Sequence, residues 1–519
     1  MINIFRYLSH VNTNIQMADL TEHFSKFRKE IVGNDLEYTT HFGIQKMIYA
    51  DWVASGRLYL PIEKIITDKF GPYVGNTHTE TSECGRLMTE AYHLAHQRIK
   101  SHVNAGKGDV IITTGFGMTG AVVKFQRILG LKAGGKHAQK PGSTEADRPV
   151  VFITHMEHHS NHTSWYETEA DVVVIEPGPE MLVDLDRMEE ALIRYKDRKV
   201  KIGSFTSCSN VTGIRTPYPA MARLMHEFGG VVFVDFAASA PYDPIDMHPQ
   251  DPMEKLDGIF FSPHKFLGGP GSSGVLVFDS ALYTSKVPDQ PGGGTVDWTN
   301  RWGEYKFADN IEVREDGGTP GFLQAIRTAL AIELKNMMGT GNIHAREKEL
   351  VTLAFAEMRT IPNLHILADN MEQRLGVISF YIRPVHYNLI VKLLSDRFGV
   401  QVRGGCVCAG TYGHYLLNVD HERSRTITEK INNGDLSEKP GWVRLSLHPT
   451  MTDQELLFIT DALKQIERNH RVWSQDYTYN RHTNEFSFKN GSPAIMHPEK
   501  WFDLDPIVRP REMKISEWS

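Results

Sequence analysis

Short, uniformly apolar runs between about residues 60 and 320 constrain the fold more than any other feature of the sequence. Runs of this kind suit the strands of a sheet that is buried on both faces. Five of them are residues 150–153, 172–175, 231–234, 258–261 and 274–278. The amphipathic segments between them, such as 188–198 and 218–228, are long enough to be crossover helices. The pattern predicts an α/β fold whose large domain has three layers, α/β/α, around a mostly parallel sheet.

The pattern changes after Pro320. Residues 322–338 predict a long helix, residues 376–381 a strand, and residues 453–466 a final amphipathic helix. This mixture is typical of a smaller α+β C-terminal domain. We expect four parts: an N-terminal segment that packs on the small domain, 1–46; the large, ligand-binding domain, 47–320; the small C-terminal domain, 321–469; and a C-terminal extension, 470–519.

The net charge limits the kinds of partner that we expect, and the number of cysteines bears on disulfide bonds. The chain has 519 residues and a formal net charge of −7, whereas proteins that bind nucleic acids or anionic membranes usually carry a basic excess. A small-molecule substrate fits better. Four cysteines are too few for a disulfide framework in a chain of this length. Because no signal peptide or stretch of about 18 apolar residues is recognisable either, we expect a cytoplasmic protein.

A lysine and an acid follow two of the predicted strands. Lys265 comes shortly after the run 258–261, at a strand end, where open α/β sheets bind their ligands. Ser262 and His264 beside it could donate hydrogen bonds to a phosphate. A strand, a lysine and a glycine-rich segment are also compatible with an ordinary turn. Asp235, however, ends another apolar run 30 residues upstream, and a buried carboxylate requires a cationic partner.

Four motifs, in this order along the chain, carry a resemblance to a known family. They are Glu157-His158-His159-Ser160-Asn161, Ser209-Asn210-Val211-Thr212-Gly213, Asp235-Phe236-Ala237-Ala238 and Ser262-Pro263-His264-Lys265. Over roughly residues 47–468 the chain resembles the class V aminotransferase superfamily of fold type I. Within it, the chain is similar to the cysteine desulfurases and selenocysteine lyases. The resemblance implies a pyridoxal 5′-phosphate (PLP) cofactor bound to Lys265 as an imine.

The resemblance also implies contacts to the ring of the cofactor. Asp235 would pair with the protonated pyridine nitrogen, which keeps the ring electron-withdrawing. His158 would stack on the ring face opposite Lys265 and assist proton transfers. Asn210 would donate to the 3-oxygen of the ring and also lie beside the substrate.

For the phosphate, the resemblance points to the segment between the apolar residues 110–112 and a helix that begins near Ala121. Backbone amides at a helix N-terminus favour an anion, and glycine permits a close approach. The expected phosphate contacts are Gly117, Met118, Thr119, Ser262, His264 and Thr295. Family members usually carry hydroxyl residues at the positions of Phe116 and Gly117. The family donates the segment of Thr295 from a second subunit, which implies a homodimer with shared active sites.

Substrate binding and the nucleophile are assigned in the same way. Arg444 matches the family arginine that binds the substrate carboxylate, and a guanidinium suits this task because it binds carboxylates in a bidentate manner. His78 lies where the family places a residue near the substrate. Cys408, in a glycine-flanked loop, matches the family nucleophile, and Cys406 stands where many members have histidine. Since no further Cys or His cluster completes a four-ligand site, we expect no metal.

The resemblance implies that the enzyme removes sulfur from L-cysteine, which leaves alanine and a persulfide on Cys408, with a protein as a possible sulfur acceptor. Ala238 stands where desulfurases commonly have glutamine. A PLP-dependent aminotransferase, lyase or epimerase of the same superfamily, or a selenocysteine lyase, therefore stays open as an alternative. A non-catalytic scaffold of the same fold is a further alternative.

Overall fold

The computed structural model describes residues 20–132, 144–491 and 498–504. The parts of the expected N-terminal segment and C-terminal extension in residues 1–19, 492–497 and 505–519 lie outside the described residues. The α-helices of the described chain are α1 (Leu20–Arg28), α2 (Leu60–Ile65), α3 (Glu83–His102), α4 (Met118–Ile128), α5 (His159–Tyr166), α6 (Leu185–Arg194), α7 (Tyr218–Glu227), α8 (Ile311–Arg314), α9 (Phe322–Met338), α10 (Thr340–Met358), α11 (Tyr387–Phe398), α12 (Gly410–Leu416), α13 (His421–Asn432) and α14 (Asp453–Trp473).

The strands fall into one large sheet, one four-stranded sheet and several two-stranded pairs. They are β1 (Glu37–Thr40), β2 (Gly43–Lys46), β3 (Ile48–Tyr49), β4 (Asp109–Thr114), β5 (Val150–Thr154), β6 (Asp171–Ile175), β7 (Lys201–Thr206), β8 (Val231–Asp235), β9 (Gly258–Phe261), β10 (Gly274–Asp279), β11 (Val296–Thr299), β12 (Tyr305–Phe307), β13 (Leu364–Ile366), β14 (Val377–Ile382), β15 (Val400–Gln401), β16 (Arg403–Gly405), β17 (Trp442–Ser446), β18 (Tyr477–Asn480) and β19 (Glu485–Phe488).

The large sheet has seven strands in the order β4-β10-β9-β8-β7-β5-β6. All of them run in the same direction except β10, which is antiparallel to both of its neighbours. Side chains of β5 alternate between two buried clusters: Val150 and Phe152 face one layer of helices, and Val151 and Ile153 face the other. The predicted α/β fold with helices on both faces of a mostly parallel sheet is therefore confirmed.

The four-stranded sheet has the order β13-β14-β17-β16, is antiparallel and, with α10, α11 and α14, forms the smaller α+β part that the sequence predicts. The N-terminal residues contact this part: β3 pairs with β15, and Arg28 of α1 forms an ion pair with Glu455 of α14. The division of the chain at residues 46, 320 and 469 stays a prediction. In the described part of the chain, no helix combines the length and the apolarity that a membrane crossing requires.

Two elements differ from the sequence-based expectation. Helix α14 continues beyond residue 466 to Trp473, because the last turns keep their contacts with the small domain through residues such as Trp473, which packs against its core. The C-terminal extension shows little periodicity in sequence, yet β18 and β19 form an antiparallel hairpin. Short hairpins with few buried positions carry a weak sequence signal.

Candidate active site

A cavity of about 190 Å³ opens between the carboxyl ends of strands β7 to β9 and the strands β16 and β17. Most of the residues predicted to bind cofactor or substrate line it. These are Met118, Thr119, His158, Asn210, Asp235, Ser262, His264, Lys265, Cys408 and Arg444. The topology explains the convergence, since neighbouring parallel strands end at the same edge of a sheet.

Lys265 lies in a short 3₁₀ turn, Pro263–Lys265, that follows β9. Its side chain is half-buried and forms no hydrogen bond or ion pair with any of the described residues. Burial lowers the pKa of the amine to about 8; Asp235 opposes this shift, and Arg444 and Arg403 reinforce it. A substantial fraction of the amine is therefore neutral near physiological pH and able to act as a nucleophile.

Asp235 ends β8 and is 3% exposed. Its Oδ1 accepts a hydrogen bond from the backbone N–H of Ala237 at 2.8 Å, and no lysine, arginine or histidine of the described chain forms an ion pair with it. Burial raises the pKa of this carboxyl group to about 6, against the effects of Ala237 and Lys265. A buried carboxylate without a bonded cation leaves a place for a cationic ligand group.

His158 caps the N-terminus of α5, with its Nδ1 accepting a hydrogen bond from the backbone N–H of Ser160 at 3.1 Å. Burial lowers the pKa of the imidazole to about 3, and the nearby Lys265 adds to the shift. At neutral pH the ring is therefore uncharged. Since Nδ1 is an acceptor, the single ring proton resides on Nε2.

Two residues that flank the histidines hold this segment in place. The Oε1 of Glu157 accepts hydrogen bonds from the backbone N–H of Thr206 at 2.9 Å and from the hydroxyl of Thr154 at 2.7 Å. Its Oε2 accepts one from the side-chain amide of Asn161 at 2.8 Å. Both residues are buried. They tie the end of β5 to the end of β7, so this part of the motif is structural and positions His158.

A cradle for an anion lies at the N-terminus of α4. Gly117 has φ +110°, a conformation that side chains disfavour. A Cβ at this position would lie 2.9 Å from the Ser262 hydroxyl and 2.8 Å from His264 Cε1, so only glycine fits. The backbone N–H of Met118 donates to Ser262 Oγ at 2.8 Å. Backbone amides, a hydroxyl and an imidazole around one space suit a phosphate group.

Arg444 is 2% exposed and lies on β17. Its Nη2 donates to Asp51 Oδ1 at 2.7 Å, its Nη1 donates to the carbonyl of Asn210 at 3.2 Å, and its buried Nε has no partner among the residues that the structure describes. The facing strand β16 places Arg403 directly opposite Arg444. Arg403 also lines the cavity and pairs with Asp51 Oδ2 at 3.2 Å. The cavity therefore presents two guanidinium groups at this end, and the carboxylate of Asp51 holds both of them.

Sequence reasoning missed Arg403 and Asp51. The sequence indicates only that Arg403 lies in a short strand before the loop that contains the cysteines. That this strand pairs with β17, and so places Arg403 opposite Arg444, is known only from the structure. Asp51 lies far from Arg444 in sequence, and nothing in its local pattern indicates the contact.

Cys408 is an exposed thiol in the segment 406–410, which we call the Cys408 loop. Two consecutive residues of this loop, Val407 with φ +43° and Cys408 with φ +59°, adopt left-handed conformations. The side-chain amide of Asn210 donates to the carbonyl of Val407 at 2.8 Å, and Asn210 Oδ1 is buried without a partner from residues 20–132, 144–491 or 498–504. Cys208 lines the same cavity, but burial raises the pKa of its thiol and so disfavours the reactive thiolate.

Apart from Gly117, which lies against the lining residues Ser262 and His264, two predicted site residues do not line the cavity. Thr295 is buried, and its hydroxyl donates to the carbonyl of Gly292 at 2.6 Å. His78 is exposed, with Nε2 3.2 Å from the carbonyl of Gly318 and its ring against Gly294. His78 thus contacts the residue before Thr295, and the roles of both residues stay predictions.

The protein has the features of a PLP-dependent enzyme: a large, mostly parallel sheet, a lysine after one strand and a buried acid at the end of the neighbouring strand. A sequence profile described as aminotransferase class-V matches residues 48–458. The chain therefore belongs to the class-V aminotransferase family, as the sequence motifs predict.

Similar proteins carry a more specific description. A probable cysteine desulfurase from Staphylococcus epidermidis is 30% identical over 369 residues, which cover 70% of this chain and 84% of the relative. A probable cysteine desulfurase from Staphylococcus aureus is 28% identical over 365 residues, with the same coverage of 70% and 84%.

Solved structures share the fold. The apo structure of a cysteine desulfurase from Thermococcus onnurineus NA1 has a TM-score of 0.68 at 21% identity and covers 86% of this chain and 98% of its own. The cysteine desulfurase CsdA from Escherichia coli has a TM-score of 0.66 at 22% identity and covers 85% of this chain and 98% of its own. At these identities the likeness concerns the fold alone.

Proposed function

We propose that this chain is a cysteine desulfurase that uses PLP to convert L-cysteine to alanine and stores the sulfur as a persulfide on Cys408. The observation that carries the proposal is the placement of an unpaired amine, Lys265, and an exposed thiol, Cys408, on the same cavity. The names of the similar proteins support the same activity.

The residues present fit PLP. The cradle of Gly117, Met118 and Ser262 would hold the phosphate, Asp235 would face the ring nitrogen, and Lys265 would carry the aldehyde carbon as an imine. The buried Oδ1 of Asn210 has no hydrogen-bond partner in the described part of the chain, so a polar atom of a residue that lines the cavity is left for a ligand. When bound, PLP supplies an electron-poor ring that weakens the bonds at the α-carbon of an amino acid.

Lys265 and His158 would handle the protons. With its pKa lowered to about 8, the amine of Lys265 can take a proton at Nζ and return it near neutral pH. His158 stays neutral, so its Nε2–H can donate a hydrogen bond without adding a charge beside the substrate. Arg444, with Arg403 beside it, would bind the carboxylate and orient the substrate's side chain toward the Cys408 loop.

The thiolate of Cys408 would then attack the sulfur of the substrate. A sulfur–sulfur bond forms while the carbon–sulfur bond breaks, and the carbon keeps the electron pair and is protonated to give alanine. The exposed position of Cys408 leaves the persulfide open to a reductant or to a protein sulfur acceptor.

Substrate identity is tested by an amino-acid panel. We expect the purified, PLP-loaded protein with reductant to release sulfide and alanine from L-cysteine in equal amounts, and selenide from selenocysteine through the same residues. Serine and alanine serve as controls of similar size without a transferable sulfur. Keto acid or racemised amino acid as the main product, without sulfide, would replace this proposal by an aminotransferase or an epimerase.

The lowered pKa of Lys265 predicts how cofactor loading depends on pH. Only the neutral amine attacks an aldehyde, so the loading rate should rise with pH and level off above about 8. An ordinary lysine would show the same rise up to roughly pH 10. The measurement is the growth of yellow colour after PLP is mixed with the cofactor-free protein. A rate that still rises about tenfold per pH unit near pH 9 would contradict the lowered pKa.

We further propose that the enzyme is a cytoplasmic homodimer. The segment 292–295, in which Gly292 is exposed and Thr295 is buried, does not line the cavity of its own chain, as expected of a segment donated to a second subunit. A free persulfide-forming thiol suits a reducing compartment. The molar mass in solution, measured by light scattering, tests the dimer.

A further inference from the structure

We propose that His159, the histidine after the one predicted to contact the ring, is a positioning residue that latches the Cys408 loop onto the edge of the cavity. The inference deepens the proposed function and rests on it for its consequence in catalysis. Its geometry does not depend on the bound cofactor.

Two hydrogen bonds join His159 to the loop in opposite directions. The backbone N–H of His159 donates to the carbonyl of Cys408 at 2.7 Å. The imidazole Nε2 of His159 accepts from the backbone N–H of Gly410 at 2.9 Å. The first residue of α5 is thereby bonded on both sides of Ala409, immediately beside the thiol.

These bonds cap two helices at once. The first backbone N–H groups of a helix have no partner within the helix and are usually satisfied by a side chain just before it. Helix α12 starts at Gly410, and the residue before it, Ala409, has no side chain that could do this. His159 supplies the acceptor from another part of the fold. A Cβ at Gly410 would lie 3.2 Å from Nε2, so glycine permits the close approach.

The loop needs such an external contact because its own conformation is unfavourable. Left-handed backbone at two successive non-glycine residues, Val407 and Cys408, persists only where surrounding contacts hold it. The hydrogen bonds that the described part of the large domain makes to this loop are the two bonds of His159 and the bond from Asn210 to Val407, beside the apolar packing of Val407 and Ala409. Loss of the imidazole would therefore shift the loop away from the orientation that places the thiol on the cavity.

The charge state of His159 suits the acceptor role. Burial, and secondarily Lys439, lower the pKa of His159, so the ring is neutral near pH 7. His158 and His162 are the other titratable groups that interact with it, and burial lowers the pKa of both. A neutral imidazole can accept at Nε2, whereas a protonated one cannot.

Hydrogen–deuterium exchange of the full-length protein tests the latch without substrate. In His159→Leu, the amides of residues 409–412 should exchange roughly fivefold faster, because a lost cap costs about 1 kcal/mol. In His159→Gln, the side-chain oxygen can accept from Gly410, so most of the protection should return. Tyr166→Phe, at an exposed residue of the same helix, is the matched control and should exchange like the wild type. If the leucine variant does not fold, His159→Asn, whose shorter amide does not reach, replaces it.

The kinetic consequence is measured separately. We expect kcat for sulfide release to fall in His159→Leu by about the same factor as the exchange rises, with KM and the bound PLP colour unchanged, and to recover in His159→Gln. Equal behaviour of the leucine and glutamine variants, or unchanged exchange in both, would overturn the latch. Altered exchange in a protein that releases no sulfide in any form would leave the latch standing and remove the desulfurase.

Discussion

Replacement of Lys265 by alanine should abolish turnover and the yellow colour of the PLP-loaded protein together. Among the described residues the amine has no hydrogen-bond or ion-pair partner, and no other lysine of that part of the chain lines the cavity. The variant would lose both the covalent attachment of the cofactor and the group that moves the α-proton. Positioned proton transfer alone contributes about 10²–10⁴-fold to a rate, so we expect a loss of at least about 10³-fold, or roughly 4 kcal/mol in the barrier.

The measurement is the visible absorbance after excess PLP is removed, followed by the rate of sulfide release. Lys286→Ala, an exposed lysine, is the control and should keep both. Because the cradle at Gly117 and the carboxylate of Asp235 remain, the Lys265 variant should still bind PLP reversibly. A variant that kept a stable colour would show that another amine carries the cofactor.

The sequence predicts the fold well where buried strands dictate composition. The strands β5, β6, β8, β9 and β10 appear where apolar runs of four or five residues predict them. Burial on both faces leaves few alternatives at such positions, since polar side chains there would lose their hydration. Charged residues that end or closely follow these runs, such as Asp235 and Lys265, then lie at the cavity as a consequence of topology.

The rest of the site depends on contacts that local pattern does not encode. Arg403 faces the cavity because β16 pairs with β17 in a particular register. Asp51 forms an ion pair with Arg403 because residues near the N-terminus pack against the small domain. In the sequence, His159 is one of two adjacent histidines. Its proposed role depends on a contact with the Cys408 loop, which lies 251 residues further along the chain. Residues Glu157 and Asn161 share the motif of His158 but are buried in a structural network.

Replacement of Cys408 by alanine separates sulfur transfer from cofactor chemistry. The thiol is the only exposed one among the cysteines that line the cavity, and the other one, Cys208, is buried with a raised pKa. A thiolate is the nucleophile required to accept sulfur. We therefore expect sulfide release from L-cysteine to fall by at least about 10³-fold, while the colour of bound PLP is retained.

Two cysteine variants provide the comparison. Cys84→Ala removes an exposed thiol on α3, outside the cavity, and should release sulfide like the wild type. Cys406→Ala removes the half-buried neighbour in the Cys408 loop and should keep most of the activity, because its side chain packs against an apolar cluster.

Mass spectrometry after a single turnover should find the extra sulfur on Cys408. Full sulfide release by both Cys408→Ala and Cys406→Ala would remove the proposal of a persulfide-forming desulfurase, and loss of sulfide release only in Cys406→Ala would make Cys406 the nucleophile. Either outcome would leave Lys265 and Asp235 with their roles, because those depend on the large sheet and not on the loop.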